Sequence, residues 1–150
     1  MSIYSQLKQI LLAKRCGAFA LIDPDIKNDG ALLETVKKIN NSGFDAILVG
    51  GSLIQDNNFD TRIESIKDNT DLPVIIFPGS SKQLSGKADA ILFLSLLSGR
   101  NPQYLIGEHV ESAPVIHSLN LEPIPTGYIL LDGGSRSSVE IISNTIPLPM

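Results

Sequence analysis

Short apolar runs, each closed by glycine, serine or aspartate, recur along this chain at the spacing of strands that alternate with helices. That rhythm admits few folds. The largely apolar runs Ala18–Ile22, Ala46–Val49, Val74–Phe77, Ala88–Leu94 and Ile124–Leu131 read as strands buried on both faces. Between them lie segments with apolar residues at helical spacing. Ile3–Lys14 carries Ile3, Leu7, Ile10 and Leu11 and ends near Gly17. Asp29–Ser42 carries Leu32, Leu33, Val36 and Ile39, with Asp29 as a cap and Gly43 past the end. Phe59–Asp68 and Pro102–Ser118 complete the set. Strand, helix, strand at this spacing predicts βαβ units and a parallel sheet, so the class is α/β, with about five units in one domain over 1–150.

One connection departs from the rhythm. PGSSKQLSGK (78–87) is too short and too rich in Gly and Ser for a crossover helix, so a loop or single turn is expected there. A weak echo also runs through the chain: SGFDAILVGGSL (42–53) and SGKADAILFLSLL (85–97) share Ser-Gly, Asp-Ala-Ile-Leu and Ser-Leu. Either buried strands simply resemble one another, or the chain repeats a unit of a (β/α) barrel.

The strand ends carry the candidate chemistry. Asp23-Pro24-Asp25, Gly50-Gly51-Ser52, Pro78-Gly79-Ser80, Ser95 through Asn101, and Asp132-Gly133-Gly134-Ser135 follow the five runs in turn. Parallel α/β folds bind ligands at the carboxyl ends of their strands. Glycine lets backbone approach, serine donates hydrogen bonds, and aspartate offers hard oxygen to a cation such as Mg²⁺. The ring therefore suits a polar or phosphorylated ligand. Asp23, directly after its strand with Pro24 fixing the turn, is the candidate metal ligand, and Ser52 a candidate ligand for metal or diphosphate. Asp25, Gly50, Gly51, Gly79 and Ser80 are candidate substrate contacts, Asp25 also reading as a helix cap. His109 and His117 fall on the helix after the fourth strand and read as surface or packing residues. Cys16 has no neighbouring base and reads as inert, while Glu122 and Tyr128 flank a fifth strand made irregular by two prolines and can line a pocket.

Composition excludes other classes. With 43% hydrophobic and 19% charged residues the chain is globular rather than disordered. A net charge of −4 without a basic stripe argues against nucleic acid. A single cysteine allows no internal disulfide and no zinc spacing, so a reducing cytoplasm is the expected location. No apolar run reaches the roughly 18–20 residues that span a bilayer.

LIDPD (21–25), ILVGGS (47–52), PVIIFPGS (73–80), ADAILFLSLLSGRNPQYLIGEHV (88–110) and NLEPIPTGYILLDGG (120–134) closely resemble the geranylgeranylglyceryl phosphate synthase family, which includes the PcrB-type heptaprenylglyceryl phosphate synthases. The resemblance implies a TIM barrel whose third helix is replaced by a loop, of which this chain would be the N-terminal part without the C-terminal strands. It implies transfer of a prenyl group, geranylgeranyl above all, from its diphosphate to the C3 hydroxyl of sn-glycerol 1-phosphate. The product is an ether-lipid precursor, and diphosphate is released. Mg²⁺ would be held by Asp23 and Ser52. The candidate base, in a Tyr-Leu-Glu motif, and the glycerol-phosphate loops would lie on later strands not present in this sequence. An open half barrel exposes edges and an apolar inner face, so a homo-oligomer is expected. The alternative is a catalytically incomplete half barrel that binds Mg²⁺-diphosphate or self-assembles as an interaction module.

Overall fold

The structure, a computed structural model, describes residues 1–52, 54 and 56–150. Helix α1 (Ile3–Lys14) precedes strand β1 (Phe19–Ile22), and α2 (Leu32–Asn40), β2 (Ala46–Val49), α3 (Phe59–Lys67) and β3 (Val74–Ile76) follow. The chain continues through β4 (Ala90–Leu96), α4 (Glu108–Ser118), β5 (Glu122–Tyr128) and the short α5 (Ser138–Ser143). All neighbouring strands are parallel, in the order β1-β2-β3-β4-β5.

That order decides between the two common parallel architectures. A doubly wound sheet reverses direction at a switch point; this one advances without reversal, and right-handed crossovers then place every connecting helix on the same face. One face packs Ile22, Ile47, Val49, Val74, Ile76 and Ile91 against Val36 and Ile39 of α2, Ile63 and Ile66 of α3, and Ile116 of α4. Fully buried isoleucines at 47, 63, 66, 75, 76 and 91 each contribute roughly 1.5–3 kcal/mol. The other face is the inside of a partial barrel. Ala46, Ile75, Ala90 and Ile124 form its lower layer, covered by Ile3 and Leu7 of α1. Helix α1 is thus a floor under the barrel rather than part of its wall. Glu122, at the start of β5, holds it there by accepting the N–H groups of Ile3 (2.7 Å) and Tyr4 (3.0 Å). The expectation that Glu122 can line a pocket is accordingly corrected: it sits at the opposite end from the strand-end loops.

Several boundaries move from those expected. Asp29 does not cap α2; a 3-10 turn over Ile26–Ala31, capped by Asp25, comes first. Leu33 faces solvent, leaving Leu32, Val36 and Ile39 as the buried stripe. Arg15, with φ 65°, rather than Gly17 supplies the left-handed residue that ends α1. The segment from Pro102 opens as a π-helical turn, Gln103–Gly107, before α4. The fifth strand begins at Glu122 and ends at Tyr128, despite Pro123 and Pro125. It is the last strand of the sheet and has a ladder partner on only one side, where proline is tolerated.

The internal echo has a structural counterpart. Asp45 accepts the N–H of Ala18 at 3.0 Å and pairs with Lys14, the last residue of α1, at 2.5 Å. Asp89 accepts the N–H of Val74 at 2.8 Å and pairs with Lys67, the last residue of α3, at 2.7 Å. In both copies the aspartate ahead of Ala-Ile-Leu ties the foot of one strand to the helix before its neighbour. The Ser-Leu of the first copy ends at Leu53, outside the described residues.

No helix lies between β3 and β4, as the sequence predicts. Strand β4 pairs with β5 along all seven residues but with β3 only at Ile75↔Ala90 and Ile76↔Ile91. The upper half of β4 therefore has no strand on its β3 side. The missing helix and the short strand leave an opening in the wall.

Candidate functional site

The loops after β1, β2 and β3 interlock at the carboxyl end of the sheet. A methyl group on Gly50 would lie 1.8 Å from the carbonyl oxygen of Phe77, and one on Gly79 2.3 Å from that of Gly51. On Gly51 it would lie 2.6 Å from Oδ1 of Asp23. These glycines are required for close approach rather than for unusual dihedrals. Asp23, Gly50, Gly51 and Gly79 are thus brought together as the sequence suggested.

Within this cluster Asp23 stands apart. Its Oδ1 is buried and has no hydrogen-bond partner among the described residues, while Oδ2 is 3.5 Å from Nζ of the exposed Lys27. An acceptor taken out of water without a donor costs about 1–3 kcal/mol. A hard cation compensates that cost, and magnesium is usually bound through one or two carboxylates plus substrate phosphates rather than by an all-protein cage. Among the described residues there is no cluster of three His, Cys, Asp or Glu side chains. The orphaned oxygen of Asp23 nevertheless fits a magnesium ligand, and Ser52 offers a second hard oxygen, its Oγ 3.1 Å from Oγ of Ser138 at the start of α5. Asp25 is spent on a cap: it is buried, and its Oδ1 accepts the N–H of Lys27 at 3.1 Å at the start of the 3-10 turn.

The N–H groups of the three close-packed glycines are already engaged. The N–H of Gly50 bonds the carbonyl of Ile22 at 3.1 Å in continuation of the sheet. Those of Gly51 and Gly79 both reach Oε1 of Gln83, at 3.4 and 3.1 Å. Gln83 escaped the sequence reading because it sits inside a segment that reads as a featureless loop.

An apolar cavity of about 260 Å³ runs from this ring into the opening beside β4. That is far more than the roughly 30 Å³ occupied by one water, so it is a ligand-sized space. Gly50, Gly51, Ser52, Gly79 and Ser80 lie at one part of its lining; Leu92, Leu94 and Leu96 of β4 supply apolar wall. Tyr128 meets Phe77 edge-to-face at 5.5 Å, and burial raises its phenol above the usual value, keeping it neutral. Leu84, Phe93 and Ser112 line the part where a crossover helix is absent. His109 stacks on Phe93 with ring centroids 3.9 Å apart, and its Nε2 lies 2.6 Å from the carbonyl oxygen of Leu94. The packing role expected for His109 is present, and the residue also borders the cavity. His117 and Cys16 are exposed and do not line the cavity.

Two acidic side chains close one rim. Glu108 accepts the N–H of Ser81 at 2.5 Å and Glu111 the hydroxyl of Ser81 at 3.1 Å, tying the helix-replacing loop to α4. On the other side, Arg62 of α3, only 4% exposed, pairs bidentately with Asp29 and with Asp56. It thereby joins the loop after β1 to the loop after β2.

The sequence profile of the PcrB family matches residues 10–148. The chain is 47% identical over 138 residues to a geranylgeranylglyceryl phosphate synthase of Chitinophaga pinensis, covering 91% of this chain and 55% of that protein. It is 48% identical over 144 residues to one of Flavobacterium johnsoniae, covering 94% and 59%. The crystal structure of (S)-3-O-geranylgeranylglyceryl phosphate synthase from Thermoplasma acidophilum, in complex with substrate sn-glycerol-1-phosphate, superposes with a TM-score of 0.86 at 36% identity. That match covers 99% of this chain and 60% of that one. The chain therefore spans somewhat over half the length of the proteins it matches.

Proposed function

The chain belongs to the PcrB family, and on that premise we propose that it works as the N-terminal part of a prenyltransferase. The reaction joins a prenyl diphosphate, geranylgeranyl diphosphate first among them, to the C3 hydroxyl of sn-glycerol 1-phosphate. A bond forms between that oxygen and the allylic C1, the C1–O bond to diphosphate breaks, and the hydroxyl proton passes to a base. The observation that carries the reading is the continuity of the polar strand-end ring with the apolar cavity. An anionic head and a hydrocarbon tail need this pair of surroundings, and few other ligands need both.

The residues divide the work. Asp23, with an orphaned buried oxygen, and Ser52 would hold the magnesium ion. Bound there, the ion supplies neutralisation of the charge that grows on departing diphosphate. Ser52 and Ser80 can donate hydroxyl hydrogen bonds to its oxygens, which the engaged glycine N–H groups cannot do without giving up a partner. Leu92, Leu94 and Leu96 take the first part of the tail and exclude water from the allylic carbon, whose cation water would otherwise capture. Tyr128, neutral and half-buried beside Phe77, presents a polar tip within an apolar wall.

A second reading, a module that binds Mg²⁺-diphosphate or self-assembles without turnover, is favoured by one observation: Leu21 is 57% exposed on the inner face of β1. A turnover assay decides between them. The chain is supplied with Mg²⁺, radiolabelled sn-glycerol 1-phosphate and geranylgeranyl diphosphate, beside Asp23→Asn. Ether product that vanishes in the variant supports the transferase. Diphosphate binding without product selects the module, and no binding of any prenyl diphosphate rejects both.

A further inference from the structure

Gln83 lies in the loop that replaces the crossover helix, yet it is only 4% exposed and makes three hydrogen bonds to backbone of the strand-end ring. Its Oε1 accepts from the N–H of Gly79 at 3.1 Å and of Gly51 at 3.4 Å, and its Nε2 donates to the carbonyl of Gly51 at 2.7 Å. The closest approach of the two loops, where Gly79 meets the carbonyl of Gly51, is at the same place. Gly51 in turn is the residue against which the carboxylate of Asp23 rests.

We propose that Gln83 is a positioning residue: its amide clasps the loops after β2 and β3, so that Gly51 stands at the one distance from Asp23 that leaves the carboxylate aimed at a cation, with the glycine N–H groups spent on the clasp and not on the ligand. The inference rests on the prenyl-diphosphate reading and deepens it. Glycine-rich strand ends usually invite the idea that their amides cradle phosphate. Here geometry assigns the amides of Gly51 and Gly79 to a side chain, so those two do not cradle the anion.

The clasp needs an acceptor and a donor on one side chain. It must accept from two N–H groups and donate to one carbonyl, and glutamine carries both functions on one rigid plane. Methionine has the length but neither function, and would leave three backbone groups unpaired. Ionised glutamate keeps the acceptors, loses the donor and brings a negative charge toward Asp23, which it would face across Gly51. Protonated glutamic acid has a carbonyl oxygen and an O–H, so it regains the full set. Burial favours that neutral form.

The test is calorimetric titration of the chain with inorganic diphosphate at saturating Mg²⁺, with melting temperatures of the free proteins measured alongside. Gln83→Met is expected to lose on the order of tenfold or more in affinity, the scale on which an ångström of misplacement acts. Ile63→Val, in the core of α3, serves as a destabilised control remote from the loops. It is expected to bind as the unsubstituted chain does. Gln83→Glu gives a readout that a general loss of stability does not: its affinity relative to the unsubstituted chain is expected to recover as pH is lowered through the glutamate titration. The positioning role is overturned if Gln83→Met binds undiminished, if the two destabilised variants lose affinity together, or if the Gln83→Glu ratio is flat with pH. A chain that binds no diphosphate at any Mg²⁺ concentration overturns the prenyl-diphosphate reading itself, and the positioning role with it.

Discussion

The α-carbon of Gly51 faces Oδ1 of Asp23 so closely that any side chain there would start 2.6 Å from the carboxylate. The two residues are 28 positions apart and are brought together only because β1 and β2 pair in parallel, Ile22 beside Val49, with Asp23 and Gly50 following. Glycine at 51 is thus part of what aims the carboxylate.

Gly51→Ala should push Asp23 aside without unfolding the sheet. Affinity for Mg²⁺-diphosphate is expected to fall on the order of tenfold to a hundredfold, while the melting temperature shifts little. Titration calorimetry and a thermal melt on the same sample check this, and an unchanged affinity would mean that Asp23 is not where a cation binds.

Asp23→Asn should separate stability from binding. It replaces a carboxylate whose Oδ1 has no partner among the described residues and whose Oδ2 has only the exposed Lys27 at 3.5 Å, so its melting temperature without ligand is expected to equal or exceed that of the unsubstituted protein. Adding Mg²⁺ with diphosphate should raise the melting temperature of the unsubstituted chain and leave that of the variant in place. A variant that shifts equally would sink the metal assignment.

Ser112 is buried on α4 and lines the cavity where the crossover helix is missing. Ser112→Phe should fill that space. Overpacking a tight core costs typically 1–3 kcal/mol, and here the cost should fall at the low end because the ring has room. The expected result is a selective one: binding of geranylgeranyl diphosphate weakens, and binding of inorganic diphosphate does not. Parallel titrations with both ligands check it.

The Arg62 network sets an acid limit. The hydrogen bond from Arg62, followed by that from the N–H of Asn58, lowers Asp56 to about 2, and Arg62 also lowers Asp29. A carboxyl group depressed in the folded state stabilises above its unfolded value, near 4, and loses that contribution as pH falls through the folded one. Melting temperature should therefore decline between about pH 4 and pH 2 more steeply in the unsubstituted chain than in Asp56→Asn. Arg62→Met should also lower it at pH 7, by clearly more than Lys38→Ala, which breaks only an exposed pair with Glu34. Melts across that range decide the matter.

How much of this was legible in the sequence differs by the kind of signal. Buried strands show themselves: ILV and VII have no polar alternation, and their ends at Gly50 and Phe77-Pro78 are punctuated. The absent crossover helix was visible as a composition, PGSSKQLSGK. What was not legible depends on contacts across the chain. Asp29 looks like a cap because caps are local, but its partner Arg62 is 33 residues away. Gln83 in a serine-rich loop has no periodicity, and its meaning comes from two glycines it meets only in the fold. Glu122 between a leucine and a proline gives no hint that it receives the N-terminus of α1, 118 and 119 residues away.

Strand β3 has three residues where β4 has seven, and the cavity owes its existence to that inequality. The space is made by leaving something out. Because no strand or helix must be displaced to reach it, substitutions on α4 and the loop from Pro78 to Asp89 can reshape what fits while the sheet and the aspartate at its end stay as they are. Reach for the tail and grip on the head can then vary independently, so a change of ligand length need not be a change of chemistry.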